Sequence, residues 1–126
     1  MKYNNYIFVV VLKSFVLLYA SFCFAKDYRI YDKNSNYLGR TKDEGNCVKF
    51  YDKNFNYKGY SKEKGNTTEF YDKNSNLKGS ARGDFYNKTS EIYDNNSNLS
   101  GFSKKGNSSI KTYDKHYNQT EFYEED

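Results

Sequence analysis

Apolar and polar residues alternate along this chain in short bursts, without the recurrence at every third or fourth position that marks a helix. Tyr28-Arg29-Ile30-Tyr31, Val48-Lys49-Phe50-Tyr51, Thr68-Glu69-Phe70-Tyr71, Ser90-Glu91-Ile92-Tyr93, Ile110-Lys111-Thr112-Tyr113 and Thr120-Glu121-Phe122-Tyr123 all follow it. A period of two sends successive side chains to opposite faces of a strand. Ile30, Phe50, Phe70, Ile92 and Phe122 are therefore expected to form one row, the core. Tyr31, Tyr51, Tyr71, Tyr93, Tyr113 and Tyr123 are expected on the other face with the charged residues.

Each burst leads into a related sextet: Tyr31-Asp32-Lys33-Asn34-Ser35-Asn36, its counterparts at Tyr51, Tyr71 and Tyr93, and Tyr113-Asp114-Lys115-His116-Tyr117-Asn118. The tyrosines advance by 20, 20, 22 and 20 residues, and Gly39, Gly59, Gly79 and Gly101 follow eight positions after the first four. Asp accepts from backbone amides two residues on and Asn tolerates the left-handed conformation, so the sextet predicts a tight reversal. Return strands are expected over residues 36–41, 56–61, 76–80 and 98–103, and a second turn at Gly45, Gly65 and Gly106 leads to the next copy. A lone hairpin is marginal in water, so the units must pack on one another. The fold class expected is all-β: tandem hairpins of about 20 residues, packed around an axis as a β-flower or stacked as a short β-solenoid. The truncated last copy, ending in Thr120-Glu121-Phe122-Tyr123, is placed to pair with the first strand.

Residues 1–25 break the pattern. Lys2, an apolar run through Ile7, Val9, Val10, Val11 and Leu12, Lys13, and then Phe15 to Phe24 have the layout of an export signal, and Cys23-Phe24-Ala25 puts small residues where a signal peptidase reads. The expected organisation is a signal peptide over residues 1–25, cleaved after Ala25, and a single β-repeat domain over residues 26–126. Lys13 splits the apolar run into pieces short of the roughly 20 residues that span a bilayer. No stable membrane span is expected after cleavage, and the protein is expected to be secreted or periplasmic.

The formal net charge of +4 loses Lys2 and Lys13 with that segment. The remaining charges alternate in sign, and no basic stripe survives to suit nucleic acid. Cys47 is the one cysteine of the domain, which leaves no internal disulfide; it reads as a small buried apolar residue or as an intermolecular or reactive thiol.

The Tyr-Asp sextets with their downstream Gly resemble the small bacterial β-flower proteins and the YD repeats of large secreted toxin shells, over roughly residues 28–123. In those families the third residue after Asp is typically Gly; here it is Ser35, Phe55, Ser75, Ser97 or Tyr117, so the unusual backbone angle is expected at Asn34 and its equivalents. The chain is also similar to the glucan- and choline-binding cell-wall repeats, which build their sites on Trp. This chain has no Trp, and a site of that kind would use tyrosine.

Tyr31, Tyr51, Tyr71, Tyr93 and Tyr113 are the candidate ligand-binding residues, since evenly spaced exposed aromatics stack on sugar rings or hold a cation. The competing expectation is that they pack between repeats as a ladder with hydroxyls at the rim. Asp32, Asn34, Asn36, Asp52, Asn54 and Asn56 have the spacing that begins a calcium loop, but no Gly stands at the sixth position and the twelfth varies from Asp43 to Glu63, Gly83 and Lys105. Turn chemistry accounts for them without a metal. Arg82-Gly83-Asp84 is an adhesion-type tripeptide in the expanded third copy. Asn66, Asn87, Asn98, Asn107 and Asn118 fit the glycosylation sequon.

His116 is the only histidine; no nucleophile, base and orienting group assemble around it, and no zinc ligand set exists. The function expected is a non-catalytic surface or envelope binding module without a cofactor, whose partner is an envelope polysaccharide or a surface protein. The alternatives are a structural or assembly protein whose tyrosine face is buried in oligomer contacts, and glycan binding through the tyrosine row.

Overall fold

Five hairpins follow one another: β1 (Tyr28–Asp32) with β2 (Tyr37–Asp43), β3 (Val48–Asp52) with β4 (Tyr57–Lys64), β5 (Thr67–Asp72) with β6 (Leu77–Arg82), β7 (Ser90–Asp94) with β8 (Leu99–Lys105), and β9 (Ser109–Asp114) with β10 (Gln119–Glu125). The computed structural model describes residues 26–126; the expected signal peptide and its cleavage point after Ala25 lie outside the described residues. Every strand pairs antiparallel with its neighbours in sequence. β10 also returns to β1, with Tyr28 opposite Glu125 and Asp32 opposite Glu121, so the ten strands form a closed barrel. The expected all-β hairpin units are present. A closed barrel differs from a solenoid, however: the last hairpin completes the first, leaving no free end on which a further unit could stack.

Each hairpin turns in the same way. The amide of Ser35 donates to the carbonyl of Asp32 (3.0 Å) and the amide of Asp32 to the carbonyl of Asn36 (3.0 Å), a type I turn followed by one left-handed residue. That residue is Ser35 (φ 65°), Phe55 (64°), Ser75 (66°), Ser97 (65°) or Tyr117 (64°). The expectation that Asn34 and its equivalents carry the unusual angle is thus corrected. A type I turn needs right-handed angles at its two central residues, Lys33 and Asn34, and the chain can reverse hand only at the next position.

The inward faces form two layers. Nearer the hairpin turns, Ile30, Phe50, Phe70 and Ile92 stand directly opposite Gly39, Gly59, Gly79 and Gly101. The glycine slots leave room for the large side chains beside them. Nearer the other end, buried Tyr28 and Ile110 alternate with small buried Thr41, Ser61, Ala81 and Ser103. Ten strands enclose more space than the roughly eight whose side chains just fill a barrel. The extra two residues of the third copy supply the missing volume. The segment after β6 turns back so that Phe85, only 2% exposed, enters the barrel and meets Phe70, Tyr86 and Tyr123 edge-on at 5.1–5.5 Å between ring centres.

The last strand departs from the expected rows. Tyr123 is buried in the core and Phe122 lies outside, stacked on Tyr31 at 5.0 Å. Thr120 to Tyr123 resembles Thr68 to Tyr71, but β10 is a return strand, in which the ninth residue after the sextet tyrosine faces out. A phase difference of one residue exchanges the faces.

A Cβ built on Gly39, Gly59, Gly79 or Gly101 would run into the carbonyl oxygen of Tyr51, Tyr71, Tyr93 or Tyr113 across the seam between hairpins. Gly106, in a loop, would bring a Cβ no closer than 3.4 Å to its neighbours. Gly59→Ala is accordingly expected to cost about 3 kcal/mol through displaced backbone. Gly106→Ala should cost well under half of that, and the two urea unfolding midpoints give the comparison directly.

Candidate functional site

The sextet tyrosines stand on the outer face and are half-buried there. Each lies across a seam from the neighbouring hairpin: Tyr31 opposite Phe122, Tyr51 opposite Arg40, Tyr71 opposite Tyr60, Tyr93 opposite Ser80 and Tyr113 opposite Phe102. The contacts are intimate. Tyr71 stacks on Tyr60 with centres 5.0 Å apart, the Arg82 guanidinium lies 4.8 Å above the Tyr93 ring, and Lys104 sits 5.7 Å over Tyr113. The Tyr93 hydroxyl donates to Glu91 at 2.5 Å and the Tyr71 hydroxyl donates to Glu69. Tyr31 (stacked on Phe122), Tyr71, Tyr93 and Tyr113 thus make ring contacts across their seams, while Tyr51 meets Tyr57 of its own hairpin at 5.9 Å.

The open aromatic surface lies elsewhere, at the hairpin-turn end. Phe55 and Tyr117, at the left-handed turn positions, are 69% and 68% exposed. Tyr117 lies flat against Phe102, 4.8 Å away and 4° from parallel, which leaves its other face to solvent. The second and fifth hairpins flank the first in the closed ring, so exposed Tyr37 and Leu38 stand on the hairpin between them, and Leu77 and Leu99 continue the rim on the remaining two. Sequence reasoning missed this surface, although the signal was present: an aromatic replaces Ser in the turn slot of two copies only.

The turn carboxylates are spent on the turns themselves. Asp52 Oδ1 accepts from the amides of Asn54 (2.8 Å) and Asn56 (2.9 Å), and its Oδ2 accepts from Asn56 Nδ2 (3.2 Å). Asp32 with Asn34 and Asn36 repeats the pattern, as does Asp114 with His116 and Asn118. Among the described residues, no three His, Cys, Asp or Glu come together to hold a metal ion. Arg82-Gly83-Asp84 is tied down in the same manner: Arg82 covers Tyr93, and Asp84 accepts from the Tyr86 amide (3.1 Å) and Asn87 Nδ2 (2.6 Å), capping the turn that carries Phe85 into the barrel.

At the opposite end, where the chain enters and the inter-hairpin loops gather, the barrel opens into a cavity of about 570 Å³. Tyr28, stacked on Tyr86 at 5.9 Å, lines it together with Asp43, Ser61, Glu63 and Asp84. Cys47 is free and half-buried at its edge, in the loop before β3 rather than inside a strand. The Tyr86 hydroxyl shares a 2.8 Å hydrogen bond with Ser61, and burial pushes that hydroxyl far above its usual range.

The outer face carries Arg29, Lys49, Glu69, Glu91 and Lys111 among its tyrosines, while the inward face mixes apolar side chains with buried Thr41, Ser61, Thr68, Ser90, Ser103 and Thr112. Among the described residues, no helix is long and apolar enough to cross a membrane. In comparison with known proteins, the chain matches no family model, no curated protein and no solved structure.

The hydrogen bonds from Asn side chains and amides hold Asp32, Asp52, Asp72, Asp94 and Asp114 below their ordinary 3.8. A carboxylate lowered by folding contributes stability that is complete above its unfolded value and disappears as pH falls through its folded value. Urea midpoints are expected to fall steadily below about pH 4. In Asp52→Asn, which keeps one acceptor oxygen but no charge, the fall should be shallower. A midpoint that stays flat down to about pH 3 would remove these carboxylates from the stability of the turns.

Proposed function

We propose that the domain is an exported, non-catalytic module that binds an envelope polysaccharide through the aromatic rim at its hairpin-turn end. The observation that carries this is the pair Phe55 and Tyr117, both about two-thirds exposed and both held at φ 64°. A bulky side chain in the left-handed region is a genuine outlier, and strain of about 1–3 kcal/mol is retained where something other than folding requires it. In three of the five copies Ser occupies the same slot, so the turn itself does not call for a ring.

A flat aromatic face with one side open is the complement of the C–H face of a sugar ring. The exposed Asn and Lys side chains of the same turns, Lys53, Asn54, Lys115 and Asn118 among them, can hydrogen-bond the hydroxyls around that ring. The similarity to YD-type and cell-wall repeats and the export-like residues 1–25 support a location at which such a polymer is met. This reading places the surface at the turn apices, where Phe55 and Tyr117 are the more exposed rings, rather than on the half-buried tyrosine row.

The test compares retention on insoluble envelope polysaccharides of the wild type and a Phe55→Gly, Tyr117→Gly double variant. Glycine accepts a positive φ without strain, so the variant should gain about 1 kcal/mol at each site while losing most of its retention. Because the variant is expected to be more stable, unfolding cannot account for the loss. Unchanged retention would exclude the rim as the binding surface.

A further inference from the structure

Tyr117, one ring of the turn-end rim, also borders a groove of about 230 Å³ on the outer face, with Arg82, Glu91, Phe102 and Lys104 among its other walls. Arg82 and Lys104 are exposed, and among the described residues neither makes an ion pair. Each is positioned by a ring instead, Arg82 at 4.8 Å above Tyr93 and Lys104 at 5.7 Å over Tyr113. A guanidinium resting on an aromatic ring is held in place and keeps its N–H edge for an anion.

The charges around the groove do not cancel one another. Glu91 stands directly opposite Arg82, but its carboxylate accepts from the Tyr93 hydroxyl at 2.5 Å and makes no ion pair with Arg82. Lys104 stands directly opposite Lys111, and like charges placed in this way are destabilising. Two other cation pairs face each other in the ladders, and carboxylates relieve both. Arg29 and Arg40 share Asp126 at 3.6 and 3.5 Å, and Lys49, opposite Lys42, has Glu44 at 3.1 Å. Among the described residues, no ion pair relieves Lys104 and Lys111. The chain supplies an anion to the first two pairs and leaves the third, beside the groove, for one from outside.

We infer that the polysaccharide bound at the rim is acidic and built of hexuronate units, one of which lays its ring on the open face of Tyr117 and directs its carboxylate to Arg82 and Lys104. The inference rests on the rim reading above and adds the charge of the polymer to it. Two features select the class. The open aromatic face suits a ring with a C–H face, and the two cations suit an anion carried on that same ring. A phosphodiester polymer of open-chain units has the charge without the ring, and a neutral glucan has the ring without the charge. The groove's volume of about 230 Å³ falls below the roughly 300–1,000 Å³ of sites that enclose a whole small molecule, and it suits one unit of a polymer lying across the surface.

The experiment measures affinity for soluble polygalacturonate and for the same polymer fully methyl-esterified, which keeps every ring and loses every charge, with dextran sulfate as a competitor. The wild type is expected to bind the free acid about tenfold more tightly than the ester. An Arg82→Gln, Lys104→Gln double variant should bind the free acid only as weakly as the wild type binds the ester. Lys104→Gln alone, which relieves the repulsion with Lys111 and leaves Arg82 on Tyr93, should fold as the wild type does and lose part of the affinity. The inference is overturned if the wild type binds both polymers alike or neither, if the double variant binds the free acid as the wild type does, or if dextran sulfate displaces the bound polymer at a lower concentration than free polygalacturonate does. The Phe55→Gly, Tyr117→Gly variant separates the two readings. Loss of both polymers in that variant, with no effect of the charge substitutions, overturns the acidic class and leaves the rim. Weaker binding in the charge variants, with none in the rim variant, overturns the rim and the stacked ring with it.

Discussion

A two-stranded hairpin in water exposes a row of unpaired amides and carbonyls along each edge, and repeating it only moves the problem outward. In this protein the problem ends where β10 meets β1, with Ile30 opposite Tyr123 and Tyr31 opposite Phe122. Closure alone removes both edges. Once the ring must close with five hairpins, the rest of the architecture is constrained. Ten strands enclose a wide interior, and that interior needs both bulky inward residues and an inserted segment to fill it. The hairpins must also approach closely enough at each seam for the ladder to be continuous.

The glycines serve that last requirement. At Gly39, Gly59, Gly79 and Gly101 the carbonyl of the next sextet tyrosine occupies the place of a side chain, and the tyrosine ring on the far side of the same seam covers the joint. Backbone approach inside and aromatic packing outside are two halves of one contact, made between the glycine of one copy and the tyrosine of the next. The fifth copy departs from this: Glu121 stands in the glycine slot at the closing seam. Burial raises its carboxyl above the usual range, and the Tyr123 hydroxyl lies 3.4 Å away. The seam that joins the two ends of the chain is thus chemically unlike the other four.

Much of this was legible in the sequence because period-two alternation and Asx turn chemistry are local. The hairpins, their turns and the inward row of Ile30, Phe50, Phe70 and Ile92 followed from residues a few positions apart. What failed depended on long-range geometry. The face taken by Phe122 and Tyr123 is set by whether β10 leaves or returns in its hairpin, and a four-residue likeness to Thr68 to Tyr71 carries no information about that. The role of Phe85 depends on the width of a closed ring, which no local pattern encodes; the two-residue expansion of the third copy marked the place but not the direction in which the loop would fold. The left-handed residue was misplaced by one position because side-chain preference for Asn was weighed above the order of angles that a type I turn imposes.

The two ends of the barrel face different demands. At the turn end, five near-identical reversals are each locked by a carboxylate that accepts from two amides, so the apex positions are held rigidly and can carry a strained aromatic without unravelling. At the mouth, loops of unequal length converge, and the carboxylates that line it belong to different elements, with Lys26 beside them. A scaffold that is repetitive at one end and irregular at the other can present a broad surface and an open-mouthed cavity at once. Because the strands between are short, five to eight residues, the core lies close beneath both ends. The inserted segment bearing Phe85 and Tyr86 links them physically: its rings fill the centre of the barrel, while its Asp84 lines the mouth.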